Sequence, residues 1–562
     1  MRPKGGNMPV LGLLQAIGLA VPLLFAQAPT AVPSASRVPA ATVEPGNKAA
    51  RLEWFRDQGL GLFIHWSADS QLGTIISHSL AGASDAYVDR YYSELPKTLD
   101  PTHLDPGALA RLARLAGFRY MVFTTKHHSG FAMWDTKTVP FNIMQTPYHQ
   151  DVTKQLFTAF RSQGIAAGVY FSPDDFLWLH THGKQIQRLV AEVQPSANPG
   201  LLALDQAQMR ELMAGYGPVS VVFFDGEAKG LRDIAWKLQP DTVVTRGAIE
   251  TPEQNVPGAP LPGAWEANMT LGTAWQFQPS DERYKSVEDL LHILIQTRAR
   301  GGNLLLNIGL EADGSLAQEQ ENRIRTLGSW MFINGDAIYG TRPWVVTNEG
   351  DVWYTRSKDR HTLYAIVQGE NNTAKWRRGT AREFVLKTVR ATAKTTVGVL
   401  GQNDKLVEYR PNIDPKSTFH QEADGLHVRV VRAQRLRDSD QWPYPSVITL
   451  TDVEEAFVPP VVQTLPAMRT GNSVTLRGTW AAAAGQSSEP TPGARFGFDY
   501  RIITGEDTQS RLHAWAHLPV QDAARPGAYT AQFTPEPGEQ YEVRAVLQHP
   551  LLTIDGDAIP VP

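Results

Sequence analysis

From about Arg51 to Gly309 the chain repeats one pattern, a short run apolar on both faces followed by an amphipathic helix. The runs are Gly59–Trp66, Tyr120–Thr125, Ile165–Ser172, Val219–Gly226, Asp241–Gly247 and Asn303–Gly309. The helical stretches are Asp105–Gly117, Asp151–Gly164, Asp205–Gly217, Leu231–Leu238 and Val287–Ala299. In the first of these, Leu109, Leu112 and Leu115 recur at three-residue spacing. A strand apolar on both faces must be covered on both, which a parallel sheet wrapped by helices achieves.

An open doubly wound sheet and a closed barrel both fit that pattern. Polar clusters decide between them, because they end nearly every run: His65-Trp66, Lys126-His127-His128, Ser172 with Asp174 and Asp175, Asp225 with Glu227, and Arg246. Barrel active sites are assembled in this way, from the C-terminal ends of many strands. No GxGxxG or P-loop follows any run, which counts against a nucleotide-binding sheet. The expectation is an α/β fold, a (β/α)8-like TIM barrel over residues 47–342.

After Trp344 the helical pattern stops and short strands follow, read as a β-sandwich over 343–456 and a second small β-domain over 457–562, possibly immunoglobulin-like. Phe457–Pro466, "FVPPVVQTLP", reads as a proline-rich, semi-rigid connector that would leave the last domain separable. At the other end, Arg2 and Lys4 precede an apolar run from Val10 to Phe25 and the small-x-small triplet Ala26-Gln27-Ala28. Residues 1–28 are therefore expected to be a signal peptide and 29–46 a linker, for a periplasmic or secreted protein with no stable membrane partner. Cysteine is absent, so a cysteine nucleophile, a lipoprotein anchor and disulfides are excluded. A formal net charge of -4 gives no sign of a nucleic-acid partner. Nothing in the residues marks an oligomeric state.

The candidate carboxylates are Asp225, Glu227, Glu250, Glu253 and Glu266. Asp225 stands out because it ends the run Val221–Phe224 in line with the other clusters. A paired acid and nucleophile would suit glycoside hydrolysis. Adjacent residues in extended backbone point opposite ways, so His127 and His128 are expected to make a poor chelating pair. They read instead as hydrogen-bond partners for sugar hydroxyls, beside Lys126 and the indole of Trp134. A metal site from His65, one of these histidines and Asp225 remains the alternative chemistry.

The segments "GLGLFIHW", "TTKHHSGFAMWDT", "GVYFSP", "FFDGE", "WEANMTLGTAWQF", "RARGGNLLLNIG" and "WMFINGDAIYGTRPW" occur in this order between Arg51 and Trp344. Together they resemble the α-L-fucosidases, family 29 of the glycoside hydrolases. The resemblance implies an exo-acting, retaining enzyme that releases α-L-fucose from fucosylated glycans, with no metal or cofactor. It places the nucleophile on Asp225 and the acid/base on Glu266, with Glu253 in reserve. It places sugar contacts on His65, His127, His128, Tyr170 and Arg246, and Trp134 joins them as an aromatic wall. Three departures stand out: Ser129 where the family has aspartate, Phe223 where tryptophan is common, and no Glu-Trp pair after the first strand. They motivate the alternatives of a non-catalytic carbohydrate-binding barrel or a metal-dependent hydrolase.

Overall fold

The computed structural model describes residues 46–562 except 189, 259, 281, 369–375, 487 and 503–514. The expected signal peptide and all but the end of the linker lie outside the described residues. No helix among the described residues is long and apolar enough to cross a membrane.

Seven parallel strands form the N-terminal sheet: β1 (Leu60–His65), β2 (Tyr120–Lys126), β3 (Ala166–Phe171), β4 (Val221–Phe224), β5 (Val243–Val244), β6 (Glu266–Thr270) and β7 (Asn303–Gly309). Their spatial order is β5-β4-β3-β2-β1-β7-β6. The fold is the barrel-like α/β architecture, but a regular eighth strand is missing among the described residues. The stretch after β5 takes part instead through two isolated parallel bridges to β6, Glu250 with Trp265 and Glu253 with Asn268. β6 was not foreseen, because "EANMT" carries polar side chains where the other strands are apolar. All five of its residues are buried, so these polar groups face the barrel interior rather than water.

The wrapping helices start where short polar side chains can satisfy free amides. The helix Pro106–Leu115 is capped by Asp105, Val152–Ser162 by Asp151, and Val287–Ala299 by a Ser286–Asp289 capping box. The helix expected from Asp205 starts earlier, at Pro199, where a proline at the first turn loses no hydrogen bond. Gly61 in β1 makes room for a ring: a Cβ there would lie 2.3 Å from the Tyr120 side chain.

Beyond the barrel, the sheet built on Val352–Ser357, Thr362–Val367, Ser446–Glu455 and Val389–Val399 faces a smaller one of Ala381–Leu386, Gly425–Val431 and Thr418–Glu422. Their shared core includes Tyr354, Leu363, Val428 and Leu450. A further core, with Val474, Trp480, Phe496 and Leu547, holds the C-terminal strands. The connector reading fails here. Val461–Thr470 is a strand paired with Ser473–Ala481, so the proline-rich stretch is built into the last domain. That domain also touches its neighbours: Leu551 and Leu552 pack on the sandwich core, and Arg501 reaches Glu250 at 3.3 Å. A polar cleft of about 530 Å³ lies at this junction, lined by Arg300, Glu349, Lys387 and His549 among others. Its carboxylate is already engaged, since Glu349 accepts from Thr388 and the Lys387 amide.

Candidate active site

A smaller cavity, about 220 Å³, opens at the C-terminal ends of the barrel strands, and Asp225, Glu253, Arg246, His65, His127, His128 and Tyr170 all line it. Asp225 follows β4, and its amide donates to the Phe171 carbonyl at 3.0 Å, which fixes the carboxylate beside β3. The next residue, Gly226, turns the chain at φ 149°, where a Cβ would press on Pro173. The Asp-Gly turn and the cavity carboxylate are thus the same feature.

Four groups converge on Asp225. Tyr170 donates its hydroxyl at 2.6 Å, Arg188 and Arg246 reach Oδ1 at 3.2 and 3.4 Å, and His128 Nε2 lies 3.5 Å from Oδ2. Burial alone would raise the Asp225 pKa, but the charges of Arg188 and Arg246 and the Tyr170 hydroxyl outweigh it and hold the group well below the usual carboxylate range. The carboxylate is therefore ionised. Arg246 also stacks over the Phe223 ring at 4.6 Å and donates to Glu253 at 2.8 Å. One planar guanidinium thus spans Asp225 and Glu253. Asn268 steadies the Glu253 loop by donating to the carbonyls of Thr251 and Pro252.

The histidines are neutral, because burial lowers each pKa: to about 4 for His65 and well below the usual value for His127 and His128. His65 Nδ1 lies 2.6 Å from Asn307 Oδ1, an acceptor, so Nδ1 carries the proton and Nε2 offers a lone pair. Ser172 donates to the Asp174 carbonyl and so accepts from His128 Nδ1 at 2.6 Å. His128 Nε2 is then an acceptor too, buried and without a hydrogen-bond partner. His127 Nδ1 meets Ser77 Oγ at 2.9 Å, and its ring stacks on Tyr170 at 5.4 Å. Ser77 sits at φ 59° and is held by Asp69, which accepts its amide at 2.6 Å.

Four expectations meet a different arrangement. The histidine rings do not diverge: they lie 4.0 Å apart and both face the cavity. β2 ends at Lys126, so the alternation of an extended strand no longer governs them. Trp134 is fully buried and donates to Glu211 at 3.0 Å, away from the cavity. Lys126 is equally buried and pairs with Asp205 at 2.7 Å and Asp175 at 3.4 Å. Glu266 is the largest displacement. It opens β6, two residues before Asn268, which lines the cavity. That spacing puts it on the same face but one pleat, about 7 Å, below the cavity floor. There it accepts from the Tyr120 hydroxyl, and burial lifts its pKa to about 7. Among the other candidates, Glu227 accepts the Ser196 amide and Glu250 pairs with Arg501.

A model of the α-L-fucosidase family matches residues 26–336. The chain belongs to that family. It is 29% identical to an α-L-fucosidase of Branchiostoma floridae over 394 residues, 62% of this chain and 84% of that one. It is 28% identical to the human plasma α-L-fucosidase over 361 residues, 56% of this chain and 75% of that one. Among solved structures, a family 29 α-L-fucosidase of Bacteroides thetaiotaomicron, trapped as a covalent intermediate with 2-fluoro-fucosyl fluoride, shares the fold at TM-score 0.58 and 22% identity. That match covers 74% of this chain and 98% of the other. An α-L-fucosidase of Paenibacillus thiaminolyticus matches at TM-score 0.58 and 23% identity, with 72% of this chain covering 99% of that one. More than a quarter of this fucosidase is therefore additional to either.

Several cavity residues of this fucosidase escaped the sequence reading: Ile76, His78, Arg188, Trp275 and the floor residues Phe63 and Asn268. His78 is the one with a visible signal. It stands in "IISHSLAG", the stretch after the first strand that lacks the Glu-Trp pair. Phe223, the departure from tryptophan, lines the cavity against Tyr170 at 5.7 Å. Ser129 donates its amide to Ser77 Oγ, the oxygen that His127 also meets.

Proposed function

We propose that the chain hydrolyses α-L-fucosides from the non-reducing end with net retention, using Asp225 as nucleophile and Glu253, not Glu266, as acid/base. The observation that carries this reading is Arg246 bridging an ionised strand-end carboxylate and a partly exposed loop carboxylate across a single cavity. Retaining enzymes hold their two carboxyl groups about 5–5.5 Å apart, a gap of the scale one guanidinium spans. The cavity is also below the roughly 300–1,000 Å³ of sites for larger ligands, which suits one sugar ring and an exo mode of attack.

In the first step an Asp225 oxygen attacks the anomeric carbon while Glu253 gives its proton to the departing glycosidic oxygen. The C–O bond to the aglycone breaks as the ester to Asp225 forms. Glu253, now a carboxylate, takes a proton from water, and that water displaces Asp225 to release fucose. His65 and His128 each present a lone pair to sugar hydroxyl donors, the pairing that an unoccupied buried acceptor requires. Trp275, Phe223 and Ile76 offer apolar surface to the ring and its methyl group. The acceptor trio His127, His128 and Asp225 has metal-ligand spacing. Arg188 and Arg246 already bring two positive charges to Asp225, so a cation there meets repulsion. A fucosylated oligosaccharide or glycoconjugate as natural substrate, and export by the leader at residues 1–28, belong to the same reading.

Proton NMR of the first-formed sugar from an aryl α-L-fucoside is the test. The α-anomer should appear first and then mutarotate. Initial β-fucose would overturn double displacement, and no turnover of any fucoside would favour the binding-only barrel.

A further inference from the structure

We propose that the outer face of the hairpin Thr418–Glu422 and Gly425–Val431 in the sandwich binds a divalent transition metal of the zinc class, through His420, Glu422 and the half-buried His427, with Asp424 at the fourth position. The sequence here reads "HQEADGLH" from His420 to His427. His420 and His427 are direct cross-strand partners, and Glu422 follows His420 by two residues on the same face. The strand period and the register therefore bring three ligand types to one side of one hairpin.

The side chains converge. The two imidazoles stack with centroids 4.9 Å apart. His420 Nε2 lies 2.9 Å from Glu422 Oε1, and His427 Nε2 lies 3.8 Å from Oε2 of the same carboxylate and 2.7 Å from Asp424 Oδ1. The ligand atoms of His420, Glu422 and His427 all fall within 4.8 Å of one another. Zinc bonds of about 2.0–2.1 Å in a tetrahedron put neighbouring ligand atoms about 3.3–3.4 Å apart, inside this spread. A donor set of two imidazoles and two carboxylates suits zinc, copper or nickel rather than magnesium or calcium, which take all-oxygen shells. Glu383 adds negative charge near His427, while Lys387 acts in the other direction on Asp424.

Exposed histidine–carboxylate pairs alone add little to stability, and such pairing does not call for two rings aimed at one carboxylate. A metal gives the arrangement a use. Every residue of Thr418–Glu422 is exposed, and the strand is an edge of its sheet, held by the ladder to Gly425–Val431 and by Gln421, which accepts the Ala391 amide at 2.9 Å. An ion held by both strands would clip that edge in place. This site is on the sandwich and does not touch the barrel cavity.

Titration of the full chain with ZnCl2 in chelator-free buffer, followed by calorimetry, tests this. One ion per chain should bind. The His420→Ala/His427→Ala double variant should weaken that binding roughly 100-fold or more, since half the donor set is lost. Glu422→Gln, which keeps the shape, should weaken it as well. Cobalt(II) in place of zinc should give visible d–d bands that the double variant lacks. Hydrolysis of an aryl fucoside should be unchanged by all three substitutions. Zinc binding as tight in the double variant as in the parent would overturn the proposal, as would loss of binding in Asp225→Asn instead, or no binding heat at submillimolar zinc.

Discussion

Asp225, largely buried, and Glu266, fully buried, are carboxylates of one barrel whose surroundings drive them in opposite directions. Asp225 lies past the C-terminal end of β4 with two guanidiniums, a hydroxyl and an imidazole around it. Glu266 lies at the N-terminal end of β6, with the Tyr120 hydroxyl as partner and no ion pair. Burial pushes both pKa values up, but only Asp225 has cations close enough to reverse the effect. The lesson is that burial alone keeps a carboxyl protonated, whereas burial beside fixed positive charge keeps it ionised. Glu253 is the third term of the comparison: it shares Arg246 with Asp225 and is partly open to solvent.

The largest expected effect is at the upper end. Asp225→Asn removes the nucleophile and should lower kcat by about 10⁴-fold or more, with the thermal unfolding profile kept. Glu253→Ala should lower kcat/KM by about 10²–10⁴-fold, and azide should restore turnover with fucosyl azide as product. Rescue in Glu266→Ala instead would reverse the assignment of the two glutamates. Both are read by steady-state assay and by NMR of the product.

A smaller effect should come from loosening the charge around Asp225. Arg188 donates to Asp225 and to Asp174, so Arg188→Gln removes one of two guanidiniums from the nucleophile. The Asp225 pKa then rises, and the ionised form is lost at a higher pH as acid is added. The acid limb of the kcat/KM profile should move upward, with roughly a tenfold loss for a displacement of one pH unit, while the plateau changes less. An acid limb that stays in place would mean Arg188 does not help hold Asp225 ionised.

How far the sequence reached follows from the same contrast. Strands β1 to β4 and β7 announce themselves because their residues are apolar on both faces, and Asp225 and the histidines announce themselves by ending such runs. β6 did not, because its inward Glu266 and Asn268 are polar and imitate a loop. Without that strand, the resemblance alone places the acid/base on Glu266, and its depth below the cavity is not legible. Arg188, His78 and Trp275 reach the cavity from long connections, whose path is set by tertiary contacts and leaves no periodic trace. The histidine pair was misjudged for a related reason: a pleat rule was applied one residue past the end of the strand.

The smallest effect on turnover, and the sharpest test of the comparison, is Glu266→Gln. The carboxyl titrates near 4.5 unperturbed and near 7 in the fold. Between those values the unfolded chain gives up the proton while the folded chain keeps it, so the parent loses stability as pH rises through that window. At about 1.4 kcal/mol per pH unit, the loss is at most about 3–4 kcal/mol. Below pH 4.5 the group is neutral in both states and costs nothing. Glutamine is neutral at every pH. Its oxygen can keep the Tyr120 hydroxyl, and its amide can donate to Thr245 Oγ1, a buried atom near Glu266 with no other partner. The variant should therefore match the parent near pH 4.5 and exceed it by up to about 3–4 kcal/mol at pH 8. Denaturant unfolding at both pH values measures this, and kcat on an aryl fucoside should stay within about twofold, an effect no larger than ~0.4 kcal/mol. A large fall in kcat with azide rescue would place Glu266 in the chemistry after all. Equal stability at pH 8 would show that water or Arg246 already compensates the buried charge.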